Sequence, residues 1–205
     1  LPANSGLLPQ RLRFLRTLRD ISYRYGSLLI FDEVITGFRL SMGGFAGKYY
    51  LEPDLVTYGK VIGGGMPVGA VAGTAEIMDM LAPAGPVYQA GTLAGNPLAM
   101  VCGLETLKLL HKEELHTRLE ELGEYLDKEF TKEIIPLFQQ ADYQIKLERE
   151  GSIFWFSIQP PGEAQTIRKI HEVWSEAPRI YDEIFRELLE QGVHMAPSAF
   201  EVAFL

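Results

Sequence analysis

Three segments of the chain place polar, potentially reactive residues next to short apolar runs. Lys60 follows the apolar residues 54–58, Asp32 ends the apolar run 27–32, and Gly91 and Thr92 lie in the loop before Pro97. In open α/β proteins, ligands bind outside the carboxyl ends of parallel strands. The sequence therefore predicts that these segments converge on one site.

Lys60 lies between an apolar run and the glycines at positions 63–65. A lysine partly withdrawn from water there can lose its proton and attack a carbonyl carbon to form a Schiff base. The simpler alternative is a solvent-exposed loop lysine. A phosphate-binding P-loop is excluded, because this lysine precedes the glycines and no Ser or Thr follows it.

Asp32 is a carboxylate at the end of a predicted buried strand. Such a group needs a cationic partner, and a protonated pyridine nitrogen would supply one while the ring serves as an electron sink. Val34, two residues further on, would point to the same side and pack on the ring face. The alternative is that Asp32 caps the next turn or pairs with Arg39.

Gly91 and Thr92 belong to a loop of small residues just ahead of a predicted helix. Backbone N–H groups and a threonine hydroxyl in that position suit a phosphate group. The alternative is an ordinary capping loop in which Asn96 is the N-cap of the helix. The residues alone leave both interpretations open.

The composition is typical of a globular chain. The 205 residues carry a net charge of −8, with 47% hydrophobic and 22% charged residues, which excludes intrinsic disorder. We expect no nucleic-acid partner, because the chain has no basic stripe, and no membrane partner, because no apolar run approaches about 18 residues. The single Cys102 forms no internal disulfide and no His/Cys cluster has metal-ligand spacing, so we expect no metal and a cytoplasmic location.

Hydrophobic periodicity predicts the elements that position these residues. The first part of the chain has helical patterns over residues 9–25 and from Pro97 to Leu110, and strand patterns over residues 27–32, 54–58 and 68–73. A further helix is predicted over residues 113–138. Buried strands that alternate with helices predict an α/β segment with a mostly parallel sheet.

The pattern changes after about residue 140. Strands are predicted at 143–147, 153–158, 193–195 and 201–205, a polar connection at 160–178, and a helix at 180–191. We therefore expect three parts: an α/β segment over residues 1–110, a helical connector over 111–140, and a small α+β domain over 141–205.

The segment Phe31-Asp32-Glu33-Val34, followed by Lys60 within Tyr-Gly-Lys-Val-Ile-Gly-Gly-Gly-Met-Pro-Val-Gly-Ala, resembles the class III pyridoxal-phosphate aminotransferases of fold type I. Residues 44–47, 88–97 and 192–201 resemble, more narrowly, the aminomutase branch of that family. The resemblance covers essentially the whole chain. It implies that residues 1–110 belong to the large cofactor-binding domain and residues 141–205 to the small one.

The resemblance also implies roles for particular residues. Lys60 would bind pyridoxal 5′-phosphate as a Schiff base and transfer protons, Asp32 would pair with the ring nitrogen, and Val34 would contact the ring. Gly91 and Thr92 would bind the cofactor phosphate of the neighbouring subunit in a homodimer.

Glu201 stands where many related aminotransferases place an arginine that binds a substrate carboxylate. A carboxylate should repel that group and favour an amino group. The resemblance thus implies a small-molecule substrate, glutamate-1-semialdehyde, and its conversion to 5-aminolevulinate for tetrapyrroles. The alternatives are an ω-aminotransferase that acts between two molecules, and a non-catalytic dimerisation module with an aminotransferase fold.

The chain departs from the family pattern in three respects. It corresponds to the C-terminal half of a family member, so we expect the chain alone to be inactive. Ala94 stands where the family usually has serine, and residues 160–178 have no counterpart that aligns. Neither of these two differences touches Asp32 or Lys60.

Overall fold

The computed structural model describes residues 1–112 and 114–205. The chain forms two compact units. The first unit is Arg11–Leu115, and the second unit combines Leu1–Gln10 with His116–Leu205. The domain boundaries expected from the sequence stay a prediction for the whole protein.

The first unit is built on a three-stranded sheet. Helix α1 (Leu12–Arg24) leads into strand β1 (Ile30–Asp32), and the short helix α2 (Gly44–Lys48) precedes β2 (Leu55–Tyr58). Strand β3 (Ala70–Gly73) is followed by the short helix α3 (Ala75–Met78) and the long helix α4 (Pro97–Lys112). The sheet order is β1-β2-β3.

This sheet is mixed, whereas the sequence predicted a mostly parallel one. β1 and β2 run parallel, with Asp32 opposite Thr57, but β2 and β3 run antiparallel. A parallel connection needs a crossover of a dozen or more residues, usually through a helix. Only the 3₁₀-helix Lys60–Gly63 and a glycine-rich turn separate β2 from β3, so the chain reverses instead.

The second unit begins its helical part with α5 (Leu115–Glu129), which continues through a π-helical turn (Phe130–Ile134) into α6 (Ile135–Gln140). The sequence predicted one helix over residues 113–138, and its predicted first residue, Glu113, lies outside the described residues. Arg149 contacts α5 through ion pairs with Glu120 and Asp127, each at 2.9 Å. Gly123 makes room for it, since a Cβ there would lie 2.4 Å from the Arg149 Nη1 atom.

The second sheet is antiparallel and consists of β4 (Gln144–Glu150), β5 (Ile153–Gln159) and the short β6 (Ala203–Phe204), in the order β4-β5-β6. One face of the sheet packs against α7 (Ala177–Glu190) and the π-helical turn. The core of this layer consists of six buried residues: Phe130, Ile145, Ile158, Ala177, Ile180 and Tyr181.

The strand predicted over residues 193–195 does not form. Gly192 has a left-handed φ of 82°, and the Val193 N–H donates to the Leu188 carbonyl oxygen at 2.8 Å. This is the hydrogen bond of a Schellman cap, which ends α7. Because Val193 completes the helix end, the backbone is not available to a strand there, and the strand predicted over 201–205 is shortened to β6.

The other face of β4 and β5 combines the buried apolar side chains of Ile153 and Trp155 with polar ones, and two loops cover it. Residues 1–10 place Gly6 against the indole of Trp155, where a Cβ would lie 2.8 Å from the ring. The segment over residues 160–168 pairs Gln165 with the Gln159 side chain through two hydrogen bonds, at 2.7 and 2.9 Å. The predicted polar connection thus covers part of the second sheet.

No helix within residues 1–112 and 114–205 has the length and apolar character needed to cross a membrane.

Candidate active site

The structure brings Asp32 and Lys60 to the same edge of the first sheet. Asp32 is the last residue of β1, and Lys60 follows the end of β2 by two residues. Because β1 and β2 are parallel neighbours, both side chains leave from carboxyl ends of strands, where α/β proteins bind ligands. Their roles are not tested by this placement and stay predictions.

Lys60 is an exposed side chain with an unusual backbone. Within the described part of the chain its amine forms no hydrogen bond or ion pair. In this chain Lys60 is the solvent-exposed lysine that the sequence left as the simpler alternative, because the chain's own residues do not cover the side chain. The φ angle of Lys60 is 45°, in the left-handed region that is uncommon for residues other than glycine. Such strained positions cluster at functional sites.

Asp32 uses one carboxylate oxygen and leaves the other open. Its Oδ1 accepts the Val34 N–H at 3.0 Å and the Thr57 hydroxyl at 3.3 Å. This is the turn-capping role that the sequence left as an alternative. Oδ2 has no hydrogen-bond partner among residues 1–112 and 114–205, so Asp32 can cap the turn and still accept a hydrogen bond from a cationic ring nitrogen.

Val34 connects the two strand ends. Its side chain is half-buried and packs against the Cα of Gly59, where a Cβ would lie 3.2 Å from Val34 Cγ1. Gly59 directly precedes Lys60. Val34 therefore contacts the Asp32 carboxylate through its N–H group and the backbone before Lys60 through its side chain.

Glu33 is a residue that the sequence analysis missed. It is 1% exposed, and its carboxylate accepts hydrogen bonds from the Thr36 hydroxyl at 2.8 Å and from the N–H groups of Phe45 and Ala46, both at 2.7 Å. One signal could have found it: adjacent strand residues point to opposite faces, so two neighbouring carboxylates cannot both face solvent on one side.

Gly91 and Thr92 are exposed in the loop before α4. The loop ends in the cap that the sequence left as an alternative, because Asn96 Oδ1 accepts the Ala99 N–H at 3.0 Å. Gly91 also borders a largely apolar cavity of about 800 Å³, between α4 and the segment that includes Tyr58. Burial, and to a lesser extent the charge of Glu33, raises the pKa of the Tyr58 phenol.

Glu201 lies in the second unit. Its side chain is exposed just before β6. Three donors hold the loop that carries it: the Tyr181 hydroxyl on the Ala196 carbonyl at 2.6 Å, the Trp155 indole N–H on Ala199 at 2.8 Å, and the Gly6 N–H on Phe200 at 2.6 Å. All three donors belong to the second unit.

A family model described as aminotransferase class III matches residues 1–203. The glutamate-1-semialdehyde 2,1-aminomutase of Leptospira biflexa is 46% identical over 207 residues, which cover 100% of this chain and 47% of that protein. The chain thus spans about half the length of the curated relatives it matches.

Solved structures show the same similarity. An ω-transaminase from Sphaerobacter thermophilus is 32% identical, with a TM-score of 0.82 over 98% of this chain and 44% of that one. A structure described as a transaminase with PLP bound is 28% identical, with a TM-score of 0.79 over 98% of this chain and 44% of its own. The α/β fold class expected from the sequence is confirmed.

Proposed function

Because the chain belongs to the class III aminotransferase family, we propose that Lys60 and Asp32 are the cofactor-binding residues of a pyridoxal 5′-phosphate-dependent aminomutase. The observation that carries this proposal is the position of the two side chains at one edge of the first sheet. Lys60 has an unpaired amine there, and Asp32 has an unpaired carboxylate oxygen, within the described residues. A free amine can attack a carbonyl carbon, and a free carboxylate oxygen can accept a hydrogen bond from a protonated ring nitrogen.

The cofactor, when bound, supplies a carbonyl carbon for amines and a protonated ring that withdraws electrons from bonds next to nitrogen. The chain's own residues would hold and orient it. The Lys60 amine would bind the carbonyl carbon and move protons at Nζ, since a free amine is both a nucleophile and a base. Asp32 Oδ2 would accept the ring N–H and keep that nitrogen protonated, and Val34 would pack on the ring face.

The proposed reaction is an isomerisation that converts glutamate-1-semialdehyde to 5-aminolevulinate, a precursor of tetrapyrroles such as porphyrins. The 46% identity to a relative named for that substrate supports it. Glu201 fits this chemistry, because its carboxylate would repel a second carboxylate and favour an amino group of the substrate.

We propose this activity for a protein of the length of the relatives, of which this chain spans about half. The chain alone is expected to be inactive. Gly91 and Thr92 would bind the phosphate of the cofactor in the neighbouring subunit of a homodimer. Residues 1–110 would belong to its large domain and residues 141–205 to its small domain, and a cytoplasmic location fits the single Cys102.

The lysine assignment can be tested by reduction. Borohydride should fix pyridoxal 5′-phosphate irreversibly to Lys60 in the full-length protein, and peptide mass mapping should locate the adduct. Lys60→Arg should abolish the adduct and the visible absorption band, because a guanidinium does not form this bond. Lys108→Arg is the matched control, since Lys108 is an exposed helix lysine whose salt bridge to Glu105 an arginine can retain. An adduct on another lysine would contradict the proposal, and no adduct would favour a non-catalytic module.

A second candidate function is an ω-aminotransferase that exchanges amino groups between two molecules. The similarity to the Sphaerobacter ω-transaminase favours it. The two functions differ in whether the assay needs a second substrate besides glutamate-1-semialdehyde. The aminomutase should form 5-aminolevulinate from glutamate-1-semialdehyde with no added amino donor or oxo acid. Steady turnover that depends on an added oxo acid, without 5-aminolevulinate, would establish the second function instead.

A further inference from the structure

Glu33 is a buried carboxylate directly beside Asp32. Transfer of a carboxylate out of water is costly unless hydrogen bonds satisfy its oxygens. Glu33 meets this condition with three donors, the Thr36 hydroxyl and the N–H groups of Phe45 and Ala46, at 2.7–2.8 Å. An apolar residue in its place would leave these three donors without an acceptor, so the local fold depends on the Glu33 carboxylate.

The hydrogen bonds of Glu33 join three parts of the first unit. Its side chain holds the start of α2, its own N–H donates to the Thr57 carbonyl oxygen of β2 at 2.9 Å, and its carbonyl oxygen accepts the Gly37 N–H at 2.8 Å. Glu33 therefore fixes the turn over residues 33–37 relative to both β2 and α2.

That turn determines how Asp32 and Lys60 are presented. Val34, the next residue, donates its N–H to Asp32 Oδ1 and packs its side chain against Gly59. A shift of the turn would move the donor that orients Asp32 and the side chain that contacts the backbone before Lys60. The Glu33 carboxylate itself bonds Thr36, Phe45 and Ala46.

We propose that Glu33 is a positioning residue, whose buried carboxylate clamps the turn over residues 33–37 onto α2 and so orients Asp32 and Val34 at the edge that carries Lys60. This inference rests on the proposed function, because it concerns the same site. It adds a residue that does not touch the cofactor and acts only through its neighbours.

Gly44 offers a second way to disturb the clamp without changing Glu33. The φ angle of Gly44 is 64°, and a Cβ there would lie 2.3 Å from Glu33 Oε2. Gly44→Ala should therefore displace the Glu33 carboxylate. The two substitutions Gly44→Ala and Glu33→Gln act at different residues but should disturb the site in the same way.

The experiment is an absorption titration of the full-length protein with pyridoxal 5′-phosphate. Glu33→Gln replaces one acceptor oxygen with an amide NH₂, which cannot accept the N–H groups of α2. We expect Glu33→Gln and Gly44→Ala each to raise the cofactor dissociation constant about tenfold, a cost of about 1.4 kcal/mol. Both should also shift the pH midpoint of the visible band in the same direction, because Asp32 and the ring nitrogen are no longer aligned.

Two control variants separate positioning from general destabilisation. Gly47→Ala changes the same helix, but a Cβ at Gly47 has no atom within 4 Å, so the affinity and band should match the wild type. Ile158→Val removes one methyl group from the core of the second unit and should lower thermal stability without moving the pH midpoint. If Ile158→Val shifts the midpoint as much as Glu33→Gln does, or if Gly44→Ala leaves it unchanged, the inference is overturned.

The wild type distinguishes this inference from the proposed function. No cofactor band in the wild-type protein would overturn the proposed function, and the inference with it. A normal band in the wild type that persists unchanged in Glu33→Gln and Gly44→Ala would leave the proposed function intact and overturn the inference alone.

Discussion

The two sheets of the molecule differ in how much of their apolar surface the chain itself buries. In the first sheet, Ile30 of β1 is 57% exposed and Val71 of β3 is 53% exposed. In the second sheet, Ile153 and Ile158 of β5 are 0% and 3% exposed. The edge that carries Asp32 and Lys60 therefore belongs to the sheet with the less complete core.

This difference indicates that the two units order their predicted site residues by different means. The loop of Glu201 is held by side chains that belong to or adjoin the core, Trp155 and Tyr181. Asp32 lies on strands with little buried apolar surface, so local hydrogen bonds from Val34 and Thr57 orient it instead. Core packing therefore positions the loop of Glu201, and a hydrogen-bonded turn positions Asp32.

The largest expected effect comes from isoleucine truncation in the two sheets. Ile158→Ala should lower the free energy of unfolding of the second unit by about 2–5 kcal/mol, because it leaves a cavity in a closed core. Ile30→Ala should cost less than about 1 kcal/mol, since its side chain is mostly exposed in this chain. Urea unfolding followed by tryptophan fluorescence measures the first effect, because both tryptophans lie in the second unit. Hydrogen exchange of β1 peptides measures the second, and equal losses would contradict the comparison.

A smaller effect distinguishes two arginines, one in each unit. The Arg149 side chain is 11% exposed and bonds Glu120, Asp127 and the Gly151 carbonyl through three separate nitrogens. A lysine has one nitrogen and cannot reach all three partners, so Arg149→Lys should lower the free energy of unfolding of the second unit by about 1–3 kcal/mol. Arg19→Lys should cost less than about 1 kcal/mol, because Arg19 bonds Asp54 and the Glu52 carbonyl oxygen through the single atom Nη1 and its side chain is 25% exposed.

Thermal unfolding of the two arginine variants, followed by hydrogen exchange in each unit, checks this prediction. Arg149→Met serves as a control for packing, because it keeps most of the side-chain volume but no donors. If Arg149→Lys were as stable as the wild type, the ion pairs with α5 would not contribute to the second unit.

Local sequence signals identified most of the elements. Pro97 begins α4 as predicted, and the apolar runs that end at Asp32 and Tyr58 form β1 and β2. The predicted direction of β3 was wrong, because hydrophobic patterns alone do not give strand direction and the short connection after β2 excludes a parallel crossover. The role of residues 1–10 was also missed, because the contact of Gly6 with Trp155 joins segments far apart in the sequence.

The sequence predicted the part of the candidate site that depends on the ends of neighbouring strands. The rule that ligands bind at the carboxyl ends of parallel strands placed Asp32 and Lys60 at one edge, where the structure has them. The alternation of strand residues could have indicated that Glu33 is buried, but its hydrogen-bond partners could not be predicted, because Phe45 and Ala46 belong to a short helix that the sequence did not predict. The exposure of Lys60 depends on which other segments cover the edge, and a pattern of neighbouring residues does not contain that information.

The smallest expected effect is a pH dependence of opposite sign in the two units. In the second unit, burial raises the pKa of the Glu148 carboxyl, although the charge of Lys146 opposes it. The folded state therefore binds this proton more tightly than the unfolded state does, so stability should rise as the pH falls from neutral through the folded pKa toward the ordinary value of about 4.3. Glu148→Gln should flatten that part of the profile, as measured by tryptophan fluorescence in urea.

In the first unit, the Leu29 N–H, followed by Arg19, holds the pKa of the Asp54 carboxyl below its usual range. The stability that Asp54 contributes is fully present when the pH is above the pKa of Asp54 in the unfolded chain, about 3.9. It is lost as the pH falls through the lower pKa of the folded state. Acidification from neutral pH to about pH 4 should thus stabilise the second unit before it weakens the first, as hydrogen exchange resolved by unit would show. Asp54→Asn should remove only the loss of stability of the first unit at acidic pH. If the second unit instead loses stability from pH 7 downward, and does so equally in the wild type and in Glu148→Gln, the direction assigned to the Glu148 pKa shift is contradicted.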